Sequence, residues 1–239
     1  GKKLRFNWMT PFILSHYDSK TLYAGANMLF KSENRGDQWK CISPDLSTNP
    51  GPDRQGDVPF GTITDISESA LKKGLLYAGT DDGQVHVTRD DGATWTKISN
   101  GLPNRWVSRV VASKYDEGTV FVSLTGYRED DFEAYLYMST DFGETWKSIV
   151  NNMPSESINV IREDPTDQDI LYVGTELGAY CSIDKGKTWH SLCKTLPTCP
   201  VHDLALHAGT GDLVAGTHGR SVFVLHAKEI QKIKQEVAK

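Results

Sequence analysis

Charged and polar side chains recur at matching positions of segments that are otherwise apolar. When five such segments are aligned on their apolar residues, one column reads Pro11, Asp65, Arg109, Val160 and Asp203. The column before it reads Thr10, Thr64, Ser108, Asn159 and His202. Strands that served only as core would be apolar here. The three charges in the first column indicate a polar, water-filled site, and pairing of Arg109 with Asp65 or Asp203 is the structural alternative.

The loops that follow these segments add further candidate ligand-binding residues, which are Asp82, Glu176, His218 and Arg220. Trp106 could stack on a sugar ring or a peptide side chain, or could pack between repeats. Asp65, Asp82, Glu176 and Asp203 could supply the acid and base of a glycosidase if two of them lie about 5–10 Å apart. The sequence assigns no catalytic residue, and because it contains no metal-binding or cofactor-binding motif, no metal and no cofactor are predicted.

A short motif of the form S/T-x-D-x-G-x-T-W occurs four times, at residues 32–39, 88–95, 139–146 and 182–189. Its acidic position holds Asn34, Asp90, Asp141 and Asp184, and its last position holds Trp39, Trp95, Trp146 and Trp189. The Asp or Asn can accept backbone N–H groups within a turn, and the Gly can adopt a positive φ. We therefore predict that these residues are structural rather than catalytic, with each Trp ring buried under its turn.

A second repeat lies ahead of each motif and consists of short apolar runs such as Leu75–Thr80 and Ile170–Thr175. Each run is bounded by polar turns and is typical of a buried strand. Together the two repeats give units of four strands, spaced like the blades of a β-propeller. The sequence predicts an all-β propeller of about five such blades over residues 1–226, followed by a short helical tail over residues 227–239.

The two ends of the predicted propeller are irregular. The fifth unit, residues 201–225, lacks the motif and its outer strand. Residues Leu4–Trp8 are predicted to form a strand that could either supply this missing strand or belong to an earlier blade. An unpaired flank of apolar strands would be prone to association with other surfaces. We expect the remaining blades of a larger propeller, or another chain, to cover it.

The motif residues resemble the Asp-box (BNR) repeats of sialidases, sortilin-like receptors and xyloglucanases. Segments such as Asn104–Val110, Asn159–Pro165 and Gly216–Arg220 are similar to large bacterial sortilin/sialidase-like (VPS10-type) repeat proteins, often labelled glycosyl hydrolases. The resemblance implies a propeller, further blades upstream, and a secreted, periplasmic or cell-surface location. The sialidase Arg-Ile-Pro motif is absent from the sequence.

Composition excludes several classes of partner. The net charge of −5 argues against nucleic acid, which binds basic surfaces. No apolar run is long enough to predict a membrane span. Cys41 and Cys181 are expected to be small core residues, and Cys193 with Cys199 could close a short loop.

These observations favour a non-catalytic, exported recognition module that binds a carbohydrate or a protein or peptide ligand at the channel face. A glycoside hydrolase with carboxylates at the channel mouth is the first alternative. The second is a structural part of a large exported repeat protein. A propeller fold alone does not decide among them, because propellers support both binding and catalysis.

Overall fold

In a computed structural model, which describes residues 3–192 and 196–237, the chain folds into antiparallel sheets, each built from consecutive strands. The first sheet contains β1 (Phe12–Leu14), β2 (Leu22–Gly25), β3 (Leu29–Ser32) and β4 (Lys40–Cys41). The second contains β5 (Ile63–Glu68), β6 (Leu76–Thr80), β7 (Val85–Thr88) and β8 (Thr96–Lys97). The third contains β9 (Trp106–Ala112), β10 (Val120–Gly126), β11 (Asp131–Ser139) and β12 (Lys147–Ser148).

The remaining elements follow the same plan until the last sheet. The fourth sheet contains β13 (Ile158–Glu163), β14 (Leu171–Thr175), β15 (Ala179–Ser182) and β16 (His190–Ser191). The fifth sheet has only β17 (Val201–His207), β18 (Asp212–Thr217) and β19 (Val222–His226), after which the chain enters α1 (Ala227–Val237). Short 3-10 turns occupy Pro52–Arg54 and Tyr127–Glu129. This architecture is a partial β-propeller, and we call its sheets blades 1 to 5.

In blades 2, 4 and 5 the first strand carries a β-bulge at an equivalent position. Pairing with the second strand shifts register between Ile63 and Asp65, between Ile158 and Val160, and between Val201 and Asp203. Asp65, Val160 and Asp203 then lie opposite the equivalent glycines Gly79, Gly174 and Gly216. The bulge residue between each pair is Thr64, Asn159 or His202. A bulge re-aims a side chain out of the regular pleat, and the Thr64 hydroxyl accordingly reaches the carbonyl of Val107 on β9.

Each repeated motif folds into the same turn, shown here for blade 4. Asp184 accepts hydrogen bonds from the Ser182 hydroxyl (2.8 Å) and from the backbone N–H and hydroxyl of Thr188 (2.8 and 2.7 Å). Lys185 and Gly186 take positive φ values of 60° and 81°. Equivalent bonds from the preceding hydroxyl and from the N–H four residues later recur at Asn34, Asp90 and Asp141.

The chain divides into two compact units, Gly1–Val122 with Met138–Lys147 and Ser123–Tyr137 with Ser148–Lys239. The core of the first unit includes Tyr23, Leu29 and Ile63, all nearly inaccessible to solvent. The core of the second unit is built from blades 4 and 5 together with the start of α1.

The predicted helical tail is confirmed as α1, which packs on the second unit. Ala227 is buried, and Ile230 packs against the same core cluster. Lys234 forms ion pairs with Asp167 and Asp169, at 2.6 and 2.9 Å. No helix among the residues described is long and apolar enough to cross a membrane.

Two expectations about the first blade are wrong. Residues Leu4–Trp8 form no strand. Instead the Arg5 guanidinium is 11% exposed, and it donates hydrogen bonds to Asp45 and Ser47, each at 2.8 Å. Cys41 is exposed on the short outer strand β4 rather than buried in the core.

The expectations for the other cysteines have different outcomes. Cys181 is buried at 5% exposure, as expected, and burial raises the pKa of its thiol to about 11. The suggested Cys193–Cys199 loop depends on Cys193, which lies outside the described residues.

Candidate functional site

In the first unit, the candidate side chains of β5 and β9 form hydrogen bonds with strand backbone. Asp65 accepts the backbone N–H of Val110 at 2.8 Å. The bulge residue Thr64 donates its hydroxyl to the carbonyl of Val107 at 2.7 Å. Arg109 is half-buried and donates to the carbonyl of Ser108 at 2.8 Å. The Asp65 and Thr64 side chains thus join blade 2 to blade 3.

Asp82 lies in the loop between β6 and β7 and is only 7% exposed. Its carboxylate accepts the backbone N–H and the hydroxyl of Thr48, both at 2.7 Å, and the hydroxyl of Thr80 at 2.5 Å. It therefore anchors the long loop between blades 1 and 2. A substrate could reach this carboxylate only if that loop were displaced.

Asp81, the neighbour of Asp82, is a buried carboxyl that the sequence analysis did not single out. It accepts the N–H groups of Gly61 and Thr62, at 2.9 and 2.7 Å, and the Thr62 hydroxyl at 2.6 Å. Burial raises its pKa, and these hydrogen bonds oppose the change. A raised pKa suits a general acid. At 4% exposure, however, this carboxyl has little access to a substrate.

The N-terminal segment lies over the same loops. The Asn7 side chain donates to Thr62 at 3.2 Å and lies 3.4 Å from Asp81. Beyond it, Trp8 is 82% exposed and Met9 is 59% exposed. No local sequence pattern marks this arrangement, because the partners of Arg5 and Asn7 are distant in sequence.

In the second unit, the structure brings together His202 and His218. The imidazole rings of His202 and His218 lie 5.2 Å apart at an interplanar angle of 33°. Both His202 and His218 are exposed. Asp203 accepts an Arg162 N–H at 2.7 Å and the backbone N–H of Leu204 at 2.9 Å. Arg162 was not among the predicted site residues.

The loops of blades 4 and 5 carry the remaining candidates of this unit. Glu176 accepts the side-chain amide of the bulge residue Asn159 at 2.9 Å. The next residue, Leu177, is 52% exposed. Arg220 is exposed in the loop between β18 and β19, two residues beyond His218. The accessible groups of these loops and the nearby bulge thus include imidazoles, a guanidinium and an aliphatic side chain, together with the Asp203 carboxylate, whose side chain is 58% exposed.

Trp106 begins β9 and is half-buried. A half-buried indole at a strand end can present part of its ring to a ligand while the rest packs.

The acidic and the basic side chains of the candidate site differ in the hydrogen bonds they make. Asp65, Asp82, Glu176 and Asp203 each accept one or more hydrogen bonds that hold strands or loops. His202 and Arg220 instead direct polar groups to solvent. Such a surface can bind hydroxyl, carbonyl or anionic groups, and an exposed imidazole pair offers a flat face for stacking.

Comparison with known proteins supports a propeller-type family. The sequence model of the family described as "Sortilin, neurotensin receptor 3" matches residues 83–199. The xyloglucanase Xgh74A of Acetivibrio thermocellus is 28% identical to the chain over 132 residues, which are 49% of this chain and 16% of that protein. The chain thus spans about a sixth of the length of this curated relative.

Solved structures share the fold at low sequence identity. The GH74 xyloglucanase of Xanthomonas campestris gives a TM-score of 0.68 at 14% identity, with 95% of this chain and 37% of that chain covered. An extracellular domain of a two-component system of B. thetaiotaomicron gives 0.62 at 18%, covering 91% and 26%. The Cps50 (Swd1) β-propeller domain of Myceliophteria thermophila gives 0.64 at 12%, covering 93% and 67%.

Proposed function

We propose that this chain is a non-catalytic recognition module of an exported protein and that it binds a carbohydrate or a peptide through the loops of blades 4 and 5. The observation that carries the proposal is the contrast within the second unit. Glu176 and Asp203 are engaged in hydrogen bonds, Asp203 with its side chain 58% exposed, whereas His202, Arg220 and Leu177 are exposed on a bulge and on loops.

The exposed groups fit recognition better than acid–base chemistry. A guanidinium binds carboxylates, phosphates and carbonyls through directed N–H groups. The paired imidazoles of His202 and His218 add a flat surface and further hydrogen-bonding atoms. Leu177 contributes an apolar contact. All of them lie on a strand bulge or on loops held by rigid strands, which limits the entropy lost on binding.

An exported location is part of the same proposal. It is supported by the resemblance to exported repeat proteins and by the structural likeness to an extracellular domain of B. thetaiotaomicron.

The binding test is an array of glycans and peptides probed with the full chain, followed by titration of the best ligand. We expect Arg220→Ala to weaken binding at least tenfold, because a charge-assisted hydrogen bond is lost. The matched control is Lys187→Ala, which removes an exposed cation from the blade 4 motif turn of the same unit. Equal loss in both variants would contradict the proposed surface.

A glycoside hydrolase is the second candidate, because the curated relative is named a xyloglucanase. Its test is release of reducing ends from xyloglucan by the full chain. Hydrolysis that Glu176→Gln or Asp203→Asn abolishes, with the fold intact, would replace the recognition proposal with an enzyme. Binding without hydrolysis would support recognition.

A further inference from the structure

Two kinds of contact recur between consecutive blades within each unit. In the first, an aliphatic residue of one blade fills the space beside a glycine on the second strand of the blade before it. A Cβ atom added to Gly25 would lie 2.9 Å from the Ile63 side chain, and one added to Gly174 would lie 2.7 Å from Val201. Val107 fills the same space beside Gly79. Ile63, Val107 and Val201 are all fully buried.

The second contact involves the tryptophan and glycine of the motif. Each indole N–H donates to the carbonyl of the isoleucine that directly follows the fourth strand of the preceding blade. The pairs are Trp95 with Ile42 at 2.8 Å, Trp146 with Ile98 at 2.7 Å, and Trp189 with Ile149 at 2.7 Å. The motif glycines Gly92, Gly143 and Gly186 pack against the side chains of the same three isoleucines. The motif therefore forms a turn and also binds its blade to the preceding blade. We call this tryptophan and glycine contact with the isoleucine the clamp.

Blade 1 also has a residue equivalent to the filling aliphatic residue and one equivalent to the motif tryptophan, and both are exposed to solvent. Met9 stands two positions before Pro11, as Ile63 stands before Asp65, and it is 59% exposed. Trp39, the motif tryptophan of this blade, is 41% exposed. Phe12 and Leu14 on β1 are also more than half exposed. Met9 and Trp39 thus lie at positions that the two contacts cover elsewhere, and the exposed Phe12 and Leu14 lie on the same blade.

We propose that this flank of blade 1 binds a further complete blade of the same repeat, from outside residues 1–239. Trp39 would donate its indole N–H to the main-chain carbonyl of a branched aliphatic residue directly after the fourth strand of that blade. Met9 would fill the space beside a glycine on its second strand. The surface is a continuation of the joints already present between blades 1 and 2, 2 and 3, and 4 and 5.

A second copy of the chain fits this flank poorly. Ile42, Ile98 and Ile149, the isoleucines that follow fourth strands, already accept tryptophan N–H groups. Leu192 follows the fourth strand of blade 4, but the space beside the glycine of that blade, Gly174, is already filled by Val201. Blade 5 has three strands, so it has no residue in the equivalent position. The required partner is therefore a complete blade whose outer strand ends in a free Ile or Leu.

The spacing between consecutive blades of this chain suggests a fusion protein that supplies such a blade. Nine positions separate Ile98 from Val107, Ile149 from Ile158, and Leu192 from Val201. If a copy of residues 61–98 is fused directly to Gly1, the copied isoleucine precedes Met9 by the same interval. A second fusion with a copy of residues 155–192 tests the same joint with a different blade.

The readout is hydrogen exchange of the Trp39 indole N–H, assigned in ¹H–¹⁵N spectra with Trp39→Phe. In the chain alone we expect fast exchange, and in at least one fusion we expect exchange slowed tenfold or more, toward the rate of Trp95. Met9→Asp in that fusion should restore fast exchange. The proposal is wrong if neither fusion protects Trp39. It is also wrong if the unfused chain protects Trp39 in a concentration-dependent manner, because a second copy would then be the occupant.

Discussion

The clamp between blades predicts that equivalent tryptophans contribute unequally to stability. Trp189 is 4% exposed and donates its indole N–H to Ile149 at 2.7 Å. Trp39 occupies the same motif position and is 41% exposed. Replacing each by Phe keeps an aromatic ring and removes the N–H group. We expect Trp189→Phe to be strongly destabilising and Trp39→Phe to be nearly neutral.

The expected magnitude follows from the two parts of the change. Loss of the indole N–H leaves a buried carbonyl acceptor unpaired, which costs about 1–3 kcal/mol. The smaller ring also removes buried apolar contact, worth about 1 kcal/mol. The free energy of unfolding should therefore fall by about 2–4 kcal/mol for Trp189→Phe. For the exposed Trp39 the change should stay within about 0.5 kcal/mol.

The assay is urea unfolding followed by far-UV circular dichroism, because removing a tryptophan alters the fluorescence signal. The midpoint should shift to lower urea for Trp189→Phe with little change in slope. Similar shifts for both variants would refute the clamp, since the buried indole N–H bonded to Ile149 would then contribute no more than the exposed Trp39.

Two further predictions concern buried positions of the first unit. Burial and then the charge of Lys97 lower the pKa of His86 from 6.5 to about 4, so neutral His86 is favoured in the folded state and stability is complete above about pH 6.5. We expect up to roughly 3 kcal/mol to be lost as the pH falls from 6.5 to 4, and His86→Gln should flatten that part of the pH profile of unfolding. Gly79→Ala places a Cβ against Val107 and should lower the unfolding free energy by about 1–3 kcal/mol, whereas Gly56→Ala, with no neighbour within 4 Å, should have little effect in the same urea titration.

Much of the fold is encoded locally, which is why the sequence predicts it. Strand runs, turn glycines and the motif repeat at intervals set by a single blade. The alignment that placed Asp65, Val160 and Asp203 in one column agrees with the register, which sets each of them opposite an equivalent glycine. The helix after the last strand was also predictable from its apolar spacing.

The contacts between distant residues were not predictable. Leu4–Trp8 has the composition of a strand, yet Arg5 binds Asp45 and Asn7 binds Thr62. No sequence pattern predicts these partners. The motif tryptophans were expected under their own turns, whereas their N–H groups reach the preceding blade.

The candidate site was predictable only in part. Sequence alignment located the charged positions, but it did not show that Asp203 pairs with Arg162 or that Asp82 is buried by bonds to Thr48. Whether a carboxylate faces solvent or fixes a loop depends on tertiary packing, which the sequence of one loop does not contain.

The central claim is that the motif turns hold the fold while the loops of blades 4 and 5 recognise the ligand. Its most direct test compares Asp184→Ala with Arg220→Ala, measuring both unfolding and binding of the array-selected ligand. Asp184→Ala removes a turn cap and should lower stability by about 1 kcal/mol without changing the affinity of the folded protein. Arg220→Ala should weaken binding at least tenfold at unchanged stability. Loss of binding in fully folded Asp184→Ala, with Arg220→Ala unaffected, would contradict the account.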